Sequence, residues 1–151
     1  MHSVNGRNGL DQQFHLSLTI NRSKLKYIMT PISINIAQKF SLFDSLWTPH
    51  IIGELNGQYV KLCKLKDDFV WHSHEHEDEL FMVFKGTLLM DFRDGTTVSV
   101  NEGEILIVPK GVEHRPHTNG DTVLNLLFEP KSTQHTGEAE TDMTVKEIGW
   151  I

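Results

Sequence analysis

The chain has 151 residues, 38% of them hydrophobic, which is enough for one core and not for two. Its 20 acidic residues against 14 basic ones leave a formal charge of −6 with no basic stripe to offset it, which argues against a nucleic-acid partner. No apolar run approaches the roughly 20 residues of a membrane span, and a single cysteine, Cys63, excludes an intrachain disulfide and a cysteine-built zinc site.

Residues 1–30 are rich in Asn, Ser, Gly and Gln, and their one regular feature is the alternation of Phe14, Leu16, Leu18 and Ile20. They are expected to form an N-terminal appendage that need not be ordered. Met29, just before the organised pattern, is a candidate alternative start. The opening segment has positive charge at Arg22, Lys24 and Lys26 but no continuous apolar stretch beside it. No secretory signal is therefore expected, and a cytoplasmic location is.

From Ser33 or Asn35 the spacing of Ile36, Phe40, Phe43 and Trp47 predicts a short helix with one apolar face for packing on a sheet. After Pro49 the pattern turns to strands: 51–55, the turn Asn56-Gly57, then 59–65, 69–74, 79–84, 87–93, 96–100, 105–108 and 122–128. Asp94-Gly95 is the strongest hairpin signal, read as a type I′ turn. Many short strands with Gly turns and almost no helix predict an all-β sandwich or barrel over residues 31–130, followed by a C-terminal tail over 131–151. Cys63, among Val60, Leu62 and Leu65, is expected to be a buried structural thiol.

Three of the nine histidines, His72, His74 and His76, fall within Trp71-His72-Ser73-His74-Glu75-His76-Glu77-Asp78-Glu79. Side chains two apart on a strand share a face, so His72 and His74 present their rings to one point. The acidic segment 75–78 then turns the chain, and Glu79 returns to the inner face at the start of the next strand. A His74-x-His76 pair would shorten the spacing to the carboxylate, so His72 and His74 are preferred. Periodicity alone leaves the position of His114 open.

The run His72-x-His74, four residues, Glu79, six residues, Gly86 resembles the first motif of the cupin superfamily. Gly103, five residues, Pro109-x-Gly111, two residues, His114 resembles the second. The β pattern from about Ile51 to Pro130 is similar to a whole monocupin barrel of the uncharacterised bacterial type. One departure is Thr118, where the family often has Asn; it bears on pocket polarity rather than on metal binding. The resemblance implies an antiparallel β-barrel (jelly roll) with a short N-terminal helix, and one divalent metal ion held by His72, His74, Glu79 and His114. It also implies a homodimer.

Three imidazoles and a carboxylate suit Fe, Mn, Ni, Co or Zn in the divalent state, and leave adjacent positions open for an oxygen ligand. The expected function is therefore a metal-dependent enzyme acting on a small oxygen-rich or carbonyl substrate, of isomerase, lyase or oxygenase type. The alternative is a non-catalytic barrel that binds a sugar or sugar acid. No catalytic residue is assigned: Tyr59 is a candidate acid, and Glu113 a candidate base expected to point outward. His117 is placed either at the pocket mouth or in water. His2, His15, His50 and His135, with Lys85, Arg93 and Arg115, are expected to be solvated. Outward-facing Leu80, Met82 and Phe84 would form an apolar row, to be covered by the helix or by a second subunit.

Overall fold

The computed structural model describes residues 13–21 and 24–151, except for the side chains at 14–29. His2 and the side chains of His15 and Met29 lie outside that set. Within the expected appendage, β1 (Phe14–Asn21) and β2 (Lys24–Pro31) pair as an antiparallel hairpin. The alternation at 14–20 is the local cause, since a period of two suits a pleated strand.

Helix α1 (Ile36–Phe40) is shorter than the spacing predicts. Asn35 caps its start, accepting a 3.0 Å hydrogen bond from the Gln38 backbone. Its early end has a tertiary cause. Lys64 reaches out from the sheet and donates to the Phe43 carbonyl at 2.6 Å and to Asp44 at 3.0 Å, and the Trp47 backbone donates to the Lys64 carbonyl at 2.9 Å. The chain thus runs beside a strand, and Trp47, at φ 52, enters a different core from Phe40.

The barrel consists of β3 (His50–Leu55), β4 (Gln58–Leu65), β5 (Glu79–Lys85), β6 (Thr87–Phe92), β7 (Thr97–Asn101), β8 (Ile105–Val108), β9 (His114–His117) and β10 (Val123–Pro130). They form a five-stranded sheet, β3-β4-β10-β5-β8, and a three-stranded sheet, β7-β6-β9, with antiparallel pairing throughout. Phe81, Val83 and Leu127 from the first sheet meet Leu88, Met90 and Val100 from the second in one core. Each such side chain contributes about 1.5–3 kcal/mol by leaving water. The result is an all-β jelly-roll barrel with one short helix.

Two local expectations are corrected. Residues 69–74 are extended but form no regular strand: bridges join Asp68 to His117 and His72 to His114, and between them Pro116 accepts from Phe69 but has no N–H to return. The type I′ geometry belongs to Asn56-Gly57, whose φ values are 51 and 81. At Asp94-Gly95 only the glycine has positive φ, because the Asp94 carboxylate accepts from the Thr96 backbone and hydroxyl and holds the turn another way.

Phe40 of α1 packs on Phe84, 5.7 Å between ring centroids, so the helix covers one end of the expected outward row. Leu80 and Met82 lie opposite Ile107 and Ile105 on the edge strand β8, and both isoleucines are more than half exposed. At the other edge the last residues act as a strap: Ile51 donates to the Gly149 carbonyl at 2.8 Å, and Ile151 donates to the Ile51 carbonyl at 3.1 Å. The Gln13 side chain adds a two-way pairing with the Glu54 backbone. Among the described residues no helix is long and apolar enough to cross a membrane.

Candidate metal centre

His72, His74, Glu79 and His114 converge inside the barrel, all buried, with one ligand atom from each lying within 4.8 Å of the others. Three separate elements bring them there. His72 and His74 come from the extended segment before β5, Glu79 opens β5, and His114 opens β9. The bridge between His72 and His114, with reciprocal backbone bonds of 3.0 and 2.9 Å, sets the two rings 4.3 Å apart. A further backbone bond, Gly111 to the His74 carbonyl at 2.7 Å, ties the Pro109–Gly111 turn to the same segment.

The orientation of the rings suits a cation. Nδ1 of His72 donates to the Val70 carbonyl at 3.1 Å and Nδ1 of His114 to the Val112 carbonyl at 2.9 Å, which leaves the Nε2 lone pairs facing inward. Glu79 Oε2 sits 3.2 Å from His74 Nε2, 3.3 Å from His114 Nε2 and 4.0 Å from His72 Nε2. Neither His74 Nε2, His114 Nε2 nor Glu79 Oε2 completes a hydrogen bond of normal geometry. Buried polar atoms left this way need a partner, and a divalent ion supplies one to all of them.

Electrostatics within the metal-free cluster are mutually reinforcing. Burial acts to raise Glu79, but the close imidazoles of His114 and His74 override it and hold the carboxyl well below the usual range. Burial acts to lower His74, and the adjoining Glu79 carboxylate reverses the effect and raises it. His72 is lowered to about 4, chiefly by burial, against the pull of Glu79.

A buried ion pair shares the interior. Lys61 on β4 and Glu129 on β10 meet at 2.5 Å, with side chains 1% and 2% exposed, while Glu129 Oε2 has no hydrogen-bond partner. Burial and then the nearby Glu79 carboxylate raise the Glu129 pKa. Lys61 and Tyr59 also line a cavity of about 680 Å³ beneath the C-terminal segment, together with Lys131, Ser132, Thr133 and His135.

Other expectations resolve residue by residue. His76 is exposed, 76% at the side chain, and takes no place in the cluster. His117 is partly buried and faces Asp91 at 3.2 Å, outside the four-residue cluster. Glu113 points outward to Arg93 at 2.6 Å, and Arg93 and Arg115 flank the Trp71 ring at 3.9 and 5.4 Å. His50 is partly buried against Phe43, 4.2 Å between rings, rather than solvated. Thr118 is buried; its hydroxyl accepts from the Asp67 backbone at 2.9 Å, so this departure from the motif serves a turn. Cys63 is buried and free, and burial pushes its thiol pKa up.

His135 is the main correction. Instead of being solvated it packs on Phe69, 5.1 Å between ring centroids, and borders the metal-ligand cluster. Burial lowers its pKa to about 4. No local signal in the sequence marks it, because the tail that carries it docks through long-range contacts.

A sequence profile described as the cupin domain matches residues 62–130. The chain is 39% identical over 83 residues to the uncharacterized protein YdbB of Bacillus subtilis (strain 168), covering 55% of this chain and 73% of that protein. The crystal structure of a cupin-2 domain containing protein from Shewanella frigidimarina superposes with a TM-score of 0.63 at 42% identity, covering 65% of this chain and 94% of that one. Protein NMB1881 from Neisseria meningitidis gives 0.61 at 33% identity, covering 66% and 100%.

Proposed function

The chain belongs to the cupin family, and on that premise we propose that it is a metal-dependent enzyme acting on a small oxygen-rich or carbonyl substrate. The observation that carries the reading is the convergence of His72, His74, Glu79 and His114 with inward nitrogens and oxygen unpaired. Fe, Mn, Ni, Co and Zn in the divalent state all suit this donor set. Once bound, the ion would polarise a substrate oxygen as a Lewis acid in isomerase, lyase or oxygenase chemistry.

The residues of the chain supply the rest. His72 and His114 hold their tautomers through backbone carbonyls, which keeps their Nε2 atoms ready as ligands. Buried Lys61 and Glu129, with partly buried His135 beside the cluster, put groups able to hold or pass a proton in the barrel interior, and these favour turnover over simple retention. The second reading, a non-catalytic binder of a sugar or sugar acid, is supported by the 680 Å³ cavity with its hydroxyl and lysine lining.

The residue bounds 31–130 for the barrel domain belong to the same proposal, as do a cytoplasmic setting, which rests on the lack of an apolar stretch beside the basic residues at 22–26, and a setting free of nucleic acid, which rests on the net charge of −6. A homodimer is supported by the apolar surface that Leu80 and Met82 form with exposed Ile105 and Ile107. Sedimentation at micromolar concentration is expected to give twice the chain mass, and a monomer would refute it.

Metal analysis of untagged protein is the first test, followed by oxygen-consumption and sugar-phosphate isomerase screens of the loaded protein. Near one ion per chain with turnover in a screen supports the enzyme. One ion per chain with ligand binding and no turnover favours the second reading. Protein that retains no ion overturns both.

A further inference from the structure

Asn125 lies within β10, opposite Cys63 on β4 and Val83 on β5, and the alternation that turns Val123 and Leu127 inward turns it inward too. It is 0% exposed, yet neither Oδ1 nor Nδ2 has a hydrogen-bond partner. A carboxamide in that position gives up the hydrogen bonds that water offers it in the unfolded chain, so an aliphatic side chain would serve packing better. The ladder is irregular at the same point: the pairing with β5 slips between Leu124 and Asn125, and such slips re-aim side chains.

The carboxamide borders a cavity of about 20 Å³. Of the four residues of the metal centre, His72 and Glu79 line this space, while Phe69, Phe81 and Leu127 make much of the remaining wall apolar. His135, whose Nδ1 is buried and unpartnered, borders it as well. The C-terminal segment brings that ring into place. Glu138 donates to the Ser73 carbonyl at 3.2 Å, and Gly137, at φ 53, permits the approach because a Cβ there would lie 2.0 Å from the Ser73 oxygen.

Size and polarity select the occupant. A buried water needs roughly 10–15 Å³ and about two to four polar partners, so the space admits one water and nothing larger. Asn125 offers it both an acceptor and a donor, and His135 Nδ1 a third point of contact. An ion held by four side chains keeps coordination positions open, and the side of the cluster that meets the cavity is that of His72 and Glu79.

We propose that Asn125 is a positioning residue of the metal centre, its carboxamide hydrogen-bonding a single water that fills one open position of the ion on the His72 and Glu79 side. That position is thereby closed to any larger ligand, and a substrate oxygen takes a different one. This rests on the metal-site reading above and adds to it the residue that keeps a water beside the ion and a limit on how substrate binds.

The test uses full-length protein loaded with Mn(II) in water enriched in the magnetic oxygen isotope, with coordinated waters counted by pulsed EPR. Asn125→Leu keeps the branched outline of the side chain but puts methyls where the oxygen and nitrogen stand. It is expected to hold manganese at the unaltered stoichiometry and to lose one coordinated water. In chelator it should melt no lower than the unaltered chain, because it removes unpartnered buried atoms. Asn125→Ser, smaller and still able to hydrogen-bond, is expected to keep the full water count. An unchanged count in Asn125→Leu overturns the proposal, as does an equal loss in Asn125→Ser. A Leu variant that melts well below the unaltered chain also overturns it, since the carboxamide would then serve the fold. Manganese uptake without coordinated water in the unaltered protein overturns it while leaving the metal reading intact. Unaltered protein that takes up no manganese overturns both.

Discussion

Lys61 Nζ lies 2.5 Å from Glu129 Oε1 across adjacent strands, with both side chains almost wholly excluded from water. Their shared burial makes each dependent on the other. Lys61→Met, which strands a buried carboxylate, is expected to cost about 3–5 kcal/mol, and pairing it with Glu129→Leu should return much of that. Urea denaturation of both single variants and the double variant checks this; additive losses would show that the pair is not coupled.

The metal ligands give a second prediction. Glu79→Ala and His74→Ala are expected to drop bound metal well below one ion per chain and to erase the rise in thermal midpoint that metal gives the unaltered protein. His76→Ala should change neither, because that side chain stands in solvent. Elemental analysis with thermal melts, run with and without a chelator, decides it. Full loading of the Glu79 variant would remove the carboxylate from the site.

Acid should destabilise the metal-free protein. His72 and His135 are held at about 4 in the fold against roughly 6.5 in the unfolded chain, so between those values the unfolded state binds more protons. Stability therefore falls as pH drops from about 6.5 towards 4. The depressed Glu79 contributes stability above its unfolded pKa of roughly 4.3 and extends the loss below it, while the raised His74 and Glu129, the latter held at about 7, oppose part of the fall without cancelling the two imidazoles. Melts in chelator at pH 7.5, 6 and 5 should show a declining midpoint; a flat profile would count against these buried imidazoles.

Gly137→Ala is expected to undock the C-terminal segment, since the added methyl meets the Ser73 carbonyl and the backbone is left-handed there. A cost of about 1–3 kcal/mol follows. Limited proteolysis should then cut within residues 131–151 faster than in the unaltered chain. Equal cleavage rates would mean that the segment is held elsewhere.

Much of this was legible in the sequence because the signals are local. Alternation placed β5 and β10, and the parity of His72 and His74 put both inside even though their segment forms no regular ladder. What was not legible depends on distant partners. The helix stops at Phe40, and just beyond it Lys64 takes the Phe43 carbonyl and the Asp44 carboxylate. β9 reads His-Arg-Pro-His, a poor strand sequence that pairs only because β6 offers its edge. His135 belongs to a segment whose docking is decided at Ser73, 62 residues before it in the chain.

Trp47, stacked 4.6 Å from Phe69 with its indole donating to the Lys66 carbonyl at 2.8 Å, shares the small cavity with His72 and Glu79. The protein therefore carries an intrinsic fluorophore beside its candidate metal position. A paramagnetic ion such as Mn(II) should dim its emission on entering, and Trp47→Phe should remove much of that quenching, so occupancy can be followed optically without labels or turnover.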